Sequence, residues 1–372
     1  MTAERPGEEM RRDSGEKQIV PKVVSYFLKH TGKEEPFALP GGITESARLL
    51  FIDSGDVTDL LFAAPVANWF HERFPGIRTT LLVNSEDSDI ARSIFRVHSI
   101  LTYHKKQLRF FTADYYALVR KLRQQHIDTV ILLSKGISME RHTLAFASGA
   151  PVRIGFHHQL AHPFINLEVR ISSRGYEGAR MIRLVESLGL PTGGVKQDIV
   201  LPQADLNHAR QLIHFRKPEK GVITVGIDPG RSKSRHRVIP EIIAYLANNL
   251  AGRQRVKFLV LTDPWDEKLV QKISGELRGE VMDLIPTNAS ETLSLLSQCD
   301  IFLSGNTNLF HFASAMKVPT IGLFTKYDGK SWVPENMPNV KIFKGTKGEK
   351  LSLKSFFSKV EEVLATGEEI TV

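Results

Sequence analysis

Two stretches of the chain share one rhythm of apolar and mixed segments. In the first, apolar β-type runs at residues 49–53, 79–84, 99–104, 129–134 and 152–156 alternate with segments of helical period at 59–73, 113–125 and 138–147. A helix over 177–188 ends at Gly189, and residues 191–220 form a bridge with one helix in it. The rhythm then restarts, with strands predicted at 222–228, 256–261, 281–285, 300–303 and 320–324. Helices are predicted at 240–250, 265–277, 290–298 and 309–316, and a last one at 351–364. Continuous Val, Ile and Leu runs belong to strands buried on both faces, which means parallel sheets with helices on each side. The expected class is α/β, built as two successive Rossmann-like blocks without an internal sequence repeat.

The ends read differently. Residues 1–17 are polar and expected to be disordered, 21–30 have the pattern of a short amphipathic helix, and 33–43 hold Pro36, Pro40, Gly41 and Gly42 as a linker. The predicted organisation is an N-terminal extension over 1–46, a first Rossmann-like domain over 47–200, a second over 201–350, and a C-terminal helix and tail over 351–372.

At 372 residues the chain exceeds one ordinary core, in agreement with two domains. No apolar run reaches the roughly 18 residues that span a bilayer, and the first 18 residues contain no apolar signal segment. A single cysteine, Cys299, excludes an internal disulfide and any cysteine-based metal cluster. It sits among apolar residues and reads as buried filler, and the expected setting is cytoplasmic.

Net charge is +8, and its placement changes the picture more than its size. Residues 1–40 are balanced, with seven basic and seven acidic side chains. Residues 91–123 carry eight basic side chains (Arg92, Arg96, Lys105, Lys106, Arg109, Arg120, Lys121 and Arg123) against Asp114 alone. Such a stretch is either a solvated face or a surface for an anionic partner: membrane headgroups, a phosphorylated glycolipid or nucleic acid. No nucleic-acid-binding motif accompanies it, so no nucleic-acid partner is expected.

Ligands of doubly wound sheets sit beyond the carboxyl ends of strands, so loops there hold the candidate chemistry. The first is Asp53-Ser54-Gly55-Asp56-Val57. Asp53, Asp56 and Asp59 each suit a helix cap; Asp56, after the glycine that permits a tight turn, is equally a candidate general base. The second loop, from Pro229 to Arg237, places Arg231, Lys233, Arg235, Arg237 and His236 after a strand without an acid, a composition suited to a diphosphate. In the third, Asp266 either caps a helix or holds ribose hydroxyls. The fourth is the turn Ser304-Gly305-Asn306-Thr307-Asn308 between a strand and a helix. There, backbone N–H groups and the helix dipole suit a phosphate, or Asn306 and Thr307 simply cap the helix. His311, one turn further, has the position of a packed or supporting residue rather than of a catalyst. His-Glu-x-x-His and Cys/His metal spacings are missing, as are the dinucleotide, Walker A and Gly-x-Ser-x-Gly fingerprints. Asp87-Ser88-Asp89 reads as cap and solvated surface. No metal and no cofactor are expected.

Together these loops resemble glycosyltransferase family 9, the ADP-heptose:lipopolysaccharide heptosyltransferases, over about residues 47–364. Gly55-Asp56-Val57 with Pro65 is similar to the family's first turn. Ala147-Ser-Gly-Ala-Pro-Val-Arg-Ile-Gly155 resembles a second family stretch. Pro229-Gly230 with Arg237-Val-Ile-Pro240 resembles its Pro-Gly loop and Lys-x-Trp-Pro. Ser304 through Trp332 and Pro334 resembles Ser-x-Asp-Thr-Gly-x-x-His with its trailing valine-proline strand and Trp-x-Pro. The chain departs from the pattern at Asn306 and Asn308, in place of Asp and Gly, and at Arg237 and Ile239, in place of Lys and Trp. Asn tolerates the left-handed region, so the turn's shape can persist, and Arg keeps the cation.

The resemblance implies a GT-B fold: two facing Rossmann-like domains with parallel sheets and an interdomain cleft. It implies an inverting, metal-independent transfer in which Asp56 deprotonates the acceptor. Arg237, Lys233, Arg231, Gly305, Asn306, Thr307, Asn308 and His311 hold the donor diphosphate, Asp266 the ribose, and Ser54 and Gly55 shape the cleft loop. The expected partners are a nucleotide sugar, foremost ADP-heptose, and an anionic glycolipid or surface-glycan acceptor at the inner face of the cytoplasmic membrane. Two other functions fit the same architecture: a degenerate non-catalytic protein that binds nucleotide or glycan, and a nucleotide-sugar epimerase.

Overall fold

The computed structural model describes residues 41–44, 46, 48–172, 174–193, 195, 198–199, 201–216, 221–230, 240–262, 266–325, 329–335, 337–344 and 352–370. The predicted helix at 21–30 and the basic loop 231–237 lie outside them. The chain divides into two compact units. One comprises residues 1–88, 96–171 and 181–195; the other comprises 89–95, 172–180 and 196–372.

In the first unit the strands are β1 (Arg48–Ile52), β2 (Arg78–Asn84), β3 (Ser99–Tyr103), β4 (Thr129–Leu132), β5 (Val152–Phe156) and β6 (Leu167–Val169). They form one parallel sheet in the order β3-β2-β1-β4-β5-β6. In the second, β7 (Ile223–Asp228), β8 (Val256–Val260), β9 (Glu280–Val281), β10 (Ile301–Ser304), β11 (Thr320–Phe324) and β12 (Val340–Lys344) form a parallel sheet in the order β12-β11-β10-β7-β8-β9. Read from its other edge, this is the same winding, with the first strand beside the fourth. Strand order reverses between β1 and β4 and between β7 and β10, and at such points a doubly wound sheet leaves room for a ligand.

The buried strands explain the apolar runs. Leu49 to Ile52, Val130 to Leu132, Ile301 to Leu303, and Ile321 and Leu323 are fully buried. In the second unit Val225, Ile227, Leu303 and Ile321 meet Ile243 and Leu246 of helix Pro240–Ala251 and Phe356 and Val360 of helix Leu353–Ile370 in one core. Cys299 is buried, and a Cβ on Gly226 would lie 2.5 Å from its sulfur, so this strand position holds glycine because a neighbour fills the space.

Three strand readings change. The predicted strand at 281–285 contracts to Glu280–Val281: after Met282 donates to Phe258 O the chain leaves the sheet, and Ile285 is 61% exposed. Pro286 follows directly and has no N–H for a ladder. Each sheet also has a sixth, edge strand outside the predicted set. In β6 only Val169 is buried, and β12 intersperses Val340, Ile342 and Phe343 with Lys341 and Lys344, so neither is the continuous apolar run that marks a central strand.

Candidate active site

At the reversal point of the first unit, β1 is followed directly by Asp53, which is fully buried. Its Oδ1 accepts from the Tyr103 hydroxyl at 2.7 Å and from Arg141 Nε at 3.0 Å, and its Oδ2 accepts from Asn84 N at 2.9 Å. Arg141 Nη2 also donates to the Tyr103 oxygen at 2.7 Å, closing a triangle. Burial, then the Asp53 charge, push the Tyr103 phenol far above its ordinary range. For Arg141, burial disfavours the cation, but Asp53 and Tyr103 outweigh it and leave the guanidinium more basic than usual.

Gly55 follows with φ +77, a region costly for other residues, and a Cβ there would fall 2.3 Å from Arg141 Nη2. The turn is therefore shaped by the arginine beneath it. Asp56 comes next and is exposed. It caps helix Val57–Arg73, with φ −118 and ψ 125, and its Oδ1 accepts from Thr58 N at 2.8 Å. Asp56 N donates to Ser54 Oγ at 3.1 Å. A carboxylate has about four lone-pair directions and one suffices for a cap, so capping leaves capacity for a proton. Ser54 and Gly55 also line a cavity of about 450 Å³ with Lys105, Leu108, Arg109, Phe110, Glu140 and Arg141.

At the reversal point of the second unit, Asp228 ends β7 beside Ser304 at the end of β10. Asp228 is buried. Its Oδ2 accepts from Thr307 Oγ1 at 2.6 Å and from Ser304 Oγ at 3.2 Å, and its Oδ1 accepts from Gly230 N at 2.8 Å. One carboxylate thus fastens the turn after β7 to the turn after β10. Gly230 has φ +74, and a Cβ there would lie 3.7 Å from Thr307 Cγ2. Thr307 caps helix Asn308–Ala315, accepting from Phe310 N at 3.2 Å. That helix has no acidic side chain in its first turn to neutralise its positive end.

Asn306 Oδ1 lies 3.0 Å from His311 Nε2, and His311 Nδ1 lies 3.1 Å from the Tyr176 hydroxyl. With Tyr176 donating to Nδ1, the Nε2–H donates to Asn306. His311 is 2% exposed and packs against Phe310, Trp332 and Tyr176. Burial lowers its pKa to about 3, so the ring is neutral. His311 therefore bears on this turn through Asn306. Gly305 is buried between Ser304 and Asn306. Asp266, beyond the end of β8, caps helix Glu267–Glu276: its Oδ1 accepts from Leu269 N at 3.1 Å and its N–H donates to Thr262 Oγ1 at 2.8 Å. Arg231, Lys233 and Arg237 lie outside the described residues.

Each unit thus holds a buried aspartate directly after or at the end of its first strand. Of Asp53, Asp56 and Asp59, each suited to a helix cap, Asp53 is instead buried against Tyr103 and Arg141 and the cap is Asp56; Asp228 was not among the candidate site residues. Arg141 carried a faint signal, being a cation in the first turn of helix Met139–Ala147, where the dipole disfavours it. Among the described residues no group of three or more His, Cys, Asp or Glu side chains has the arrangement of a metal site.

The sequence model of glycosyltransferase family 9 (heptosyltransferase) matches residues 115–356, well over half of the chain. The protein belongs to this family. It is a glycosyltransferase, and its two parallel-sheet units are those of the GT-B fold. Among curated relatives it is similar to the lipopolysaccharide core heptosyltransferase OpsX of Haemophilus influenzae, with 23% identity over 292 residues covering 76% of this chain and 81% of the relative. Among solved structures it is similar to the family 9 glycosyltransferase of Veillonella parvula, at a TM-score of 0.71 and 14% identity, covering 86% of this chain and 97% of that one. It is also similar to E. coli ADP-heptose LPS heptosyltransferase II, at a TM-score of 0.70 and 14% identity, covering 86% and 99%.

Proposed function

We propose that this glycosyltransferase moves heptose from ADP-heptose to lipopolysaccharide core or a related anionic surface glycan, with inversion and without a metal. The first unit takes the acceptor and the second the donor. The observation that carries this reading is the Asp228 fastening. It joins the Pro229-Gly230 turn to the helix-start turn Gly305–Asn308, giving two adjoining loops suited to a diphosphate. The names of the relatives, a lipopolysaccharide core heptosyltransferase and an ADP-heptose LPS heptosyltransferase, support the donor and acceptor class.

In this reading the Asp56 carboxylate takes the acceptor hydroxyl proton as that oxygen bonds to the anomeric carbon. The bond from that carbon to the diphosphate oxygen breaks, and ADP leaves with the electron pair. Fixed donors must stabilise the departing charge: backbone N–H groups of Gly305, Asn306, Thr307 and Asn308, and the cations Arg231, Lys233 and Arg237. His311 holds Asn306 in place, and Asp266 receives the ribose. Because Asn306 and His311 are both neutral, this pair sets no negative charge beside the diphosphate. The cavity beside Gly55 is lined by Arg109, by Lys105 and Arg141, which pair with Glu86 and Asp53, and by Glu140, and in this reading it takes the acceptor. Such an acceptor places the protein at the inner face of the cytoplasmic membrane. No helix among the described residues is long and apolar enough to cross a membrane.

Thermal shifts with ADP, UDP, GDP and CMP test the donor assignment. ADP should raise Tm above the other three, and Arg237→Ala should remove that rise. A preference for UDP or GDP would overturn ADP-heptose as the donor.

A further inference from the structure

Helix Ala113–Arg123 of the first unit buries Tyr115, Leu118, Val119 and Leu122 and turns Tyr116, Arg120, Lys121 and Arg123 outward. Just before it, Phe111 is 89% exposed, and Tyr116 is 58% exposed. Phe111 also has φ 61, a left-handed backbone that an aromatic residue rarely adopts. An apolar ring held in water on a strained backbone is unfavourable twice over in the free protein, and such outliers point to function. Along the helix, Tyr116, Val119, Arg120 and Arg123 line a groove of about 430 Å³ with Gln124 and His126. Arg123 is fixed there by its Nε donating to Ala147 O at 2.8 Å. Asp114 lies 3.9 Å from Lys106, and among the described residues no carboxylate pairs with Arg120 or Lys121.

We propose that the segment from Lys105 to His126 docks this protein on an anionic lipid surface. Phe111 and Tyr116 enter the boundary between headgroups and acyl chains, and Arg120, Lys121 and Arg123 meet lipid phosphates. Aromatic rings beside exposed cations are what such an interface accepts. Charge decides the occupant: a second copy of this chain would bring the same cations against these, whereas an anionic bilayer complements them. The same segment contributes Lys105, Leu108, Arg109 and Phe110 to the cavity that holds Ser54 and Gly55, so a lipid-linked acceptor anchored at Phe111 has its headgroup beside the Asp56 turn. That last link rests on the transfer reading; the docking itself does not.

The test is flotation of the full chain with phosphatidylcholine vesicles, with and without phosphatidylglycerol, in the absence of donor and acceptor. Binding should require the anionic lipid. Phe111→Ser with Tyr116→Ser should weaken it about tenfold or more, and Arg120→Glu with Arg123→Glu should abolish it. Phe111→Gly separates docking from folding: it removes the ring and relieves the left-handed strain, so Tm should hold or rise while vesicle binding falls. Undiminished flotation of the Phe111 variants would overturn the proposal. So would displacement from vesicles by millimolar glycerol phosphate with no effect of Phe111→Ser, which would assign the cations to a soluble anion. A wild-type dimer in gel filtration that dissociates on Phe111→Ser would assign the patch to a second copy. Transfer to a soluble, lipid-free acceptor should be unchanged in the Phe111 variants, so failed docking and failed transfer are told apart.

Discussion

Thr307 donates its hydroxyl hydrogen to Asp228 across 79 positions of sequence, at 2.6 Å, while the same oxygen caps the helix that starts at Asn308. The pairing makes the turn after β10 depend on the turn after β7. Thr307→Ala removes a cap and a donor to a buried carboxylate at once, and should cost about 2–4 kcal/mol in urea unfolding. Thr307→Ser keeps both bonds and should cost under about 1 kcal/mol. If the Ala variant were as stable as the Ser variant, Asp228 would not be fastening the two turns.

His311 gives the stability a definite pH slope. Its folded pKa, lowered by burial to about 3, lies below the ordinary 6.5, so the fold favours the neutral ring. That contribution is fully present above pH 6.5 and is lost as pH falls from 6.5 toward 3, at up to about 1.4 kcal/mol per unit. His142, lowered by burial to about 4, adds to the slope between 6.5 and 4. His311→Gln stays neutral, so its unfolding free energy should fall less steeply with acid than that of the wild type. Parallel slopes for the two proteins would contradict this assignment.

Much of this architecture was legible in the chain. The central strands are buried on both faces, so they read as continuous apolar runs, and helix starts at Asp56, Asp266 and Thr307 carry capping residues. The edge strands β6 and β12 were not legible because neither is a continuous apolar run: β6 buries Val169 alone, and Lys341 and Lys344 interrupt β12. The partnerships that shape the site were also hidden. Asp53 meets Arg141 from 88 positions away and Tyr103 from 50, and nothing local to any of the three reports the others. His311 illustrates the limit from the other side: its position in a motif is plain, but only the fold reveals Tyr176 on one ring nitrogen and Asn306 on the other.

Arg141 is the partner that makes a buried Asp53 tolerable. Arg141→Met leaves the carboxylate buried with only Tyr103 and Asn84 to hold it, and should cost about 3–5 kcal/mol. Gly55→Ala should also destabilise, by about 1–3 kcal/mol, because its φ is left-handed and its methyl would displace the guanidinium. Chemical denaturation of both variants measures this, and a neutral Gly55→Ala would show that Arg141 does not shape the Asp56 turn.

Tyr176→Phe removes the donor to His311 Nδ1 without changing the ring's bulk. The fold should lose about 1–3 kcal/mol with the hydrogen bond to a buried ring nitrogen. Looser seating of Asn306 should weaken ADP binding, measured by calorimetry, while the acceptor KM stays constant. An equal rise in both constants would make Tyr176 a general structural residue instead.

Asp56 separates the cap from the chemistry in a single substitution. Serine caps a helix about as well as aspartate but takes no proton at neutral pH. The decisive measurement is ADP-heptose-dependent transfer by Asp56→Ser, with unfolding and ADP affinity determined on the same preparation. Stability and ADP affinity should match the wild type while kcat falls by about 10²–10⁴-fold. Transfer at the wild-type rate by a stable Asp56→Ser protein would contradict the account, leaving Asp56 a helix cap and the base elsewhere.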